Sequence, residues 1–158
     1  MSAILKEIIG LQDPDVCYQC RRCTSGCPIA YLVKDFRPHR IVAMVNLGFI
    51  EEVLRADFIW DCTRCYKCTE YCPQRVAPSD IVLSLQALCV ERGIRFPDEY
   101  RNMILRISRT GFSFEEMEVA DREMEIYDRK SLGLPPLTPP SKIDIVGKIV
   151  LSLGGIKE

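Results

Sequence analysis

The chain has 158 residues, 27% of them charged and 47% hydrophobic, with a formal net charge of −1. That length fits one domain or one domain with an appendage, and the well-mixed charges leave no basic stripe of the kind that binds nucleic acid. Nine cysteines without a visible export signal point to a reducing, cytoplasmic setting rather than a secreted disulfide framework.

In chain order, Ile4, Leu5, Ile8 and Ile9 recur at helical spacing, so residues 1–12 are expected to form a short amphipathic helix. Asp13-Pro14-Asp15 breaks it. The first dense pattern follows as Cys17-x2-Cys20-x2-Cys23-x3-Cys27-Pro28, and the same pattern returns as Cys62-x2-Cys65-x2-Cys68-x3-Cys72-Pro73. This run binds cubane iron–sulfur clusters in two-cluster ferredoxins, where three closely spaced thiolates wrap one cluster and the fourth ligates the other. The spacing therefore predicts two [4Fe–4S] clusters. One is held by Cys17, Cys20, Cys23 and Cys72, and the other by Cys62, Cys65, Cys68 and Cys27. Zinc sites usually use two separated C-x2-C pairs, because one tetrahedral ion does not easily take three ligands so close in sequence.

Between the motifs the pattern is helical. Ile29 to Val33 suits one turn leading away from the first loop. Pro38 stands at a helix start, with Ile41, Met44, Val45 and Leu47 following, and Gly48 is a natural stop. A short helix fits Phe49 to Ala56, with Glu51 and Glu52 in its first turn. No period-2 strand is visible between Cys27 and Cys62. The fold class is thus mainly α, an α-helical ferredoxin domain with an extended, proline-rich C-terminal tail.

Beyond the second motif, Pro78 and Asp80 open a helix with Ile81, Leu85, Leu88 and Cys89 on one stripe, closed by Gly93. Pro97 opens another, with Tyr100, Met103, Ile104 and Ile107 inward, ending at Gly111. Residues 1–111 make up the expected cluster domain. Ser113 and Glu116 resemble a capping box, which predicts an acidic helix over residues 112–130. That helix is either a solvated face or a contact surface for a basic partner. Residues 131–158 form a Pro-rich strap and a C-terminal segment. Leu132 to Pro140 should run extended. Ile143, Val146, Ile149, Val150 and Leu153 then suit a last amphipathic helix, which either docks on another subunit or folds back. The longest apolar run, Ile143 to Ile156, is interrupted by Asp144, Lys148 and glycines, and falls short of the ~18 residues of a membrane span.

Other groups carry weaker signals. Arg21, Arg22, Arg64 and Lys67 lie within the cluster loops, where they either tune an anionic cluster or face solvent and a partner. Backbone N–H groups donating to sulfur are expected to matter at least as much. Cys89, outside both motifs, reads as a small buried hydrophobe rather than a redox thiol. His39, the only histidine, reads as structural or solvent-facing, and Trp60, Tyr66 and Tyr71 as shields against water. Neither a phosphate-cradling glycine loop nor an activated nucleophile is evident, so the chain alone is not expected to be catalytic.

The doubled motif, the spacer Arg37-Pro38-His39-Arg40-Ile41 and the segment Asp128 to Pro136 together resemble the C subunit of soluble heterodisulfide reductase. The helical two-cluster domain is also similar to parts of the iron–sulfur subunits of succinate dehydrogenase, fumarate reductase and glycolate oxidase. The first resemblance implies an electron relay in methanogenesis. A flavin-containing iron–sulfur subunit would supply electrons, and a second subunit would cleave the coenzyme M–coenzyme B disulfide. Only the eight cluster cysteines carry over, so no catalytic residue is assigned here. The alternative is the same relay in another anaerobic flavin-dependent or sulfur-metabolising complex. Readings from other classes are a self-sufficient disulfide reductase using Cys89, and a scaffold in which the clusters are only structural.

Overall fold

A computed structural model describes residues 14–94 and 97–152, and it divides into two compact units, residues 1–97 and 98–158. The helix expected over residues 1–12 lies outside the described residues. In the first unit a 3-10 turn, Pro14–Val16, leads into the first cysteine loop. The helices are α1 (Arg22–Ser25), α2 (Pro28–Leu32), α3 (Pro38–Asn46), α4 (Ile50–Leu54), α5 (Lys67–Glu70) and α6 (Pro78–Glu91). Another 3-10 segment, Asp57–Asp61, delivers the chain to the second loop.

Proline sets the starts of α2, α3 and α6, where its fixed φ suits a first helical residue and its missing N–H costs nothing. Helix α3 ends at Gly48, whose φ of 85° reverses the chain at a conformation that side chains resist. The Arg37 guanidinium closes α2 by donating to the carbonyls of Ala30 and Val33 at its end, and it also donates to the Phe36 carbonyl in the loop beyond.

Helix α6 is the centre of this unit. It packs on α3, α4, α5 and the Asp57–Asp61 segment. Ile81, Leu85 and Cys89 on α6 meet Ile41 and Val45 of α3, Val53 and Leu54 of α4, and Ile59, all of them buried. Burying each large aliphatic side chain is worth roughly 1.5–3 kcal/mol against leaving it exposed. Cys89 belongs to this core as expected, and its thiol donates to the Leu54 carbonyl at 3.3 Å. The short helices α1 and α5, one after each cysteine loop, also pack on each other.

The second unit pairs α7 (Asp98–Thr110) with α8 (Ile143–Ser152), the helix expected near the C-terminus. The two run antiparallel. Gly111 abuts Pro140, and Gly147 approaches the Ser108 carbonyl so closely that an added Cβ would lie 3.3 Å from its oxygen. Leu132 and Gly133, expected to begin the extended strap, instead lie in a turn closed by the Leu132, Gly133 and Leu134 N–H groups donating to the Asp128, Lys130 and Arg129 carbonyls, and Leu134 to Pro140 has no helix or strand.

The acidic helix is not there. Residues 113–127 instead form a loop and a two-stranded antiparallel ribbon, β1 (Val119–Ala120) and β2 (Ile126–Tyr127), in the register Val119 to Tyr127. A helix would have stacked Glu115 on Glu118, Glu118 on Asp121 and Asp121 on Glu125, like charges three or four residues apart. In the ribbon, Glu115 reaches Arg106 at 2.9 Å and Glu116 reaches Arg129 at 3.4 Å. Asp121 caps the turn by accepting the N–H groups of Glu123 and Glu125 at 3.0 and 2.9 Å.

Candidate metal centre

Both cysteine loops are bent in the same way. Gln19 and Arg21 in the first, and Arg64 and Tyr66 in the second, have φ of 60°, 65°, 55° and 58°. They occupy matching motif positions, one before and one after the second cysteine. None is glycine, and a side chain in this region costs on the order of 1 kcal/mol or more, so the surrounding structure holds each loop in place. Left-handed residues alternating with others turn successive N–H groups inward, the geometry that forms anion-binding concavities.

Those N–H groups reach sulfur. Val76 N–H donates to Cys72 Sγ at 3.3 Å, and the Arg64 and Thr69 backbones donate to Cys62 and Cys68. The Gln19 side-chain amide adds a donor to Cys17 at 3.3 Å. These are the backbone contacts anticipated for an anionic cluster. All four loop cations, Arg21, Arg22, Arg64 and Lys67, are exposed residues. Arg64 is held by the Gln86 amide oxygen at 3.1 Å, and the same buried Gln86 donates to the Ile59 carbonyl at 2.7 Å. This fastens the second loop to α6.

The thiols are grouped across the two motifs. Burial pushes Cys23 up to about 11, and nearby Cys68, Cys17 and Cys72 add to the rise. Tyr18 hydrogen-bonds Cys20 and also feels Cys72. Burial likewise pushes Cys68 up to about 11, with Cys62 and Cys27 contributing, while Cys62 is raised by burial and by Cys27 and Cys65. One small cavity is lined by Cys27, Cys62, Cys65 and Cys68. Cys27 thus shares a cavity with three thiols of the second motif, and Cys23 feels thiols of both motifs, Cys68 and Cys72 among them.

This donor set fits two cubanes. A single tetrahedral zinc draws its thiolates to roughly 3.8 Å of one another, given a Zn–S bond of about 2.3 Å. Among the described residues no three His, Cys, Asp or Glu side chains are gathered closely enough to hold one ion. A cubane keeps its thiolates farther apart, at the corners of an iron–sulfur cage. The raised thiol pKa values mean that metal must displace protons from buried sulfur, and bound iron supplies the opposing positive charge.

Aromatic rings close the site. Tyr66 lines the cavity. The Tyr71 ring covers Gly26, where an added Cβ would run into it, so a residue of the second motif rests on the backbone of the first. Three hydroxyl residues that the spacing argument passed over, Thr24, Thr69 and Ser79, adjoin a motif cysteine in sequence or line the cavity with one. Thr24 meets His39, and Thr69 meets Ser79. The sequence does carry a signal for them, since a threonine follows the third cysteine of each motif and His39 and Ser79 each follow a helix-starting proline.

A family described as a 4Fe-4S dicluster domain matches residues 13–76. The chain is 31% identical to the iron–sulfur C subunit of CoB–CoM heterodisulfide reductase from Methanopyrus kandleri, over 85% of this chain and 65% of that protein. It therefore spans just under two thirds of that relative's length. It is 29% identical to the C subunit of the H(2):CoB-CoM heterodisulfide,ferredoxin reductase from Methanothermobacter thermautotrophicus, over 89% of this chain and 75% of the other. With a protein of Archaeoglobus profundus described as like the heterodisulfide reductase C subunit, it shares 30% identity over 91% of this chain and 72% of that one. With the dicluster domain lying over both cysteine loops, the chain belongs to the family of heterodisulfide reductase iron–sulfur C subunits.

Proposed function

We propose that the chain is an electron relay within a heterodisulfide-reductase-type complex. In this reading Cys17, Cys20, Cys23 and Cys72 hold one [4Fe–4S] cluster, and Cys62, Cys65, Cys68 and Cys27 hold the other. A bound cubane supplies a centre that accepts and releases single electrons. The chain's own residues fix where the two centres sit. Fixed loops present inward N–H groups, α6 anchors the second loop through Gln86 and Arg64, and Tyr71 on Gly26 joins the loops. Cys20 and Cys65 are the exposed thiols of their loops, which leaves one edge of each site facing outward.

The observation that supports this reading, with its exchange of fourth thiols, is the cavity lined together by Cys27 and by Cys62, Cys65 and Cys68 of the second motif. The partners in this reading are a flavin-containing iron–sulfur subunit that gives electrons and a subunit that cleaves the coenzyme M–coenzyme B disulfide, in the cytoplasm. The relatives' names, C subunits of heterodisulfide reductases, support a complex with other subunits. No helix among the described residues is long and apolar enough to cross a membrane.

Iron counting in anaerobically prepared protein tests the ligand sets. Wild type should carry about eight irons per chain, and Cys62→Ser/Cys65→Ser about four. Adding Cys72→Ser to that double variant should remove the remaining iron, and adding Cys27→Ser should remove none. The reverse pattern would overturn the exchange. Purification from native extract tests the complex, and a chain recovered alone, with neither flavin nor a second cluster-bearing subunit, would overturn that part.

A further inference from the structure

The ribbon segment of the second unit joins exposed apolar side chains to a one-sided charge. Residues 113–127 hold six acids and one cation, Arg122. Among the acids stand Phe114, 68% exposed, and Met117, 71% exposed. With Phe112, Val119 and Leu137 they line one apolar groove.

The groove is held open by contacts within its own unit. Phe112 N–H donates to the Thr110 hydroxyl at 3.2 Å. Arg106 on α7 donates to the Ser113 carbonyl at 3.3 Å and pairs with Glu115 at 2.9 Å. Arg129 pairs with Glu116 at 3.4 Å and donates to the Pro135 carbonyl at 3.1 and 2.7 Å. Ser113, Glu115, Glu116 and Arg129 all border the groove. A ribbon of two short strands has little stability of its own in water, and among the described residues of this unit none is fully buried. An apolar patch fixed in place rather than collapsed marks a contact surface.

Charge decides what can cover it. Arginines engage Glu115 and Glu116. Glu118, between Met117 and Val119, and Glu123 and Glu125, on the turn between the strands, are exposed. Nucleic acid or an anionic lipid surface would meet like charge here, and so would the same face of a second copy. A protein surface that offers an apolar side chain framed by lysine or arginine meets both features at once.

We propose that this groove docks a basic, apolar-centred surface of another subunit of the complex, with Phe114 and Met117 receiving the apolar anchor and Glu118, Glu123 and Glu125 opposing its cations. The proposal rests on the complex proposed above. It gives the second unit a task apart from that of the cysteine loops, the holding of a partner.

The assembly isolated anaerobically from native extract, through a tag on the full chain, tests it. The probe is the flavin- or cluster-bearing subunit that accompanies wild type. Phe114→Ser/Met117→Ser alters only exposed side chains of the second unit, so iron in this chain should stay at about eight per chain while that subunit falls at least tenfold in stoichiometry. Glu118→Lys/Glu123→Lys should reduce it by a similar factor. Phe114→Leu/Met117→Leu keeps the groove apolar and should retain the subunit. Carbodiimide, which couples a carboxylate to an amine in contact with it, should link Glu118, Glu123 or Glu125 of wild type to lysines of that subunit.

Retention of the subunit in both disruptive variants overturns the groove as its dock, and loss in the leucine variant does the same. Loss in the serine variant with full retention in the charge-reversed one overturns the basic character of the partner. Carbodiimide links from these acids to a second copy of this chain, or binding of the isolated chain to vesicles of anionic lipid, overturn the choice of occupant. Wild type recovered with no such subunit instead defeats the complex reading itself, and the docking proposal falls with it.

Discussion

The two units of this chain solve the burial problem differently. In residues 14–94 one 14-residue helix, α6, gathers Phe36, Ile41, Val45, Leu54, Ile59 and Leu85 into a core with almost no exposure, with shorter helices packed around it. In residues 97–152 the helices α7 and α8, of 13 and 10 residues, pair with each other, yet among the described residues none is fully buried. Helices of similar length thus differ in burial because α6 has neighbours on several sides and α7 has mainly one. The first unit is a packed frame around the cysteine loops, and the second is a two-helix pairing that buries its side chains only in part.

Substitutions can break or sharpen this contrast. The largest effect is expected from Leu85→Ala. A fully buried leucine truncated in a tight core costs about 2–5 kcal/mol, which a denaturation midpoint of the cluster-loaded chain would register. A loss below about 1 kcal/mol would mean that the α6 core is less decisive than its burial implies.

A smaller effect is expected from pH, again in the first unit. Burial, with Arg21, Arg40 and Arg37 nearby, lowers the His39 pKa from 6.5. The unfolded chain then takes up a proton at His39 more readily than the folded one. Stability contributed by keeping His39 neutral is present above about pH 6.5 and declines as the pH falls below it. Denaturation at about pH 7.5 and about pH 6 should show that decline, and His39→Asn should flatten it. A steeper decline in the variant would contradict the assignment.

The least effect is expected from Ile149→Ala in α8. Ile149 is 54% exposed, and its loss should stay within about 0.5 kcal/mol. A cost like that of Leu85→Ala would erase the difference between the units.

Much of the first unit could be read from the residues. The starts at Pro38 and Pro78 and the stops at Gly48 and Gly93 are local signals, and local signals survive folding. The place of Cys27 in one cavity with Cys62, Cys65 and Cys68 agrees with the crossed assignment that the spacing suggests. The ribbon at residues 119–127 did not announce itself. Ser113 and Glu116 imitate a capping box, while the pairings that decide the matter, Glu115 with Arg106 and Glu116 with Arg129, depend on cations outside the segment. His39 was legible as a residue at a helix start but not as a partner of Thr24. That contact joins residues fifteen apart and exists only once α3 packs on the first loop.

The Tyr71 ring seated on Gly26 has a consequence for biosynthesis. As the nascent chain emerges, the first loop is exposed with its covering ring and its neighbouring Cys72 still unmade, and residues through α6 must follow before the core can close. With the proposed ligand sets, neither site is complete until the second half of the unit has been made. Cutting the chain between α4 and the second loop would leave two fragments, neither able to finish its own half.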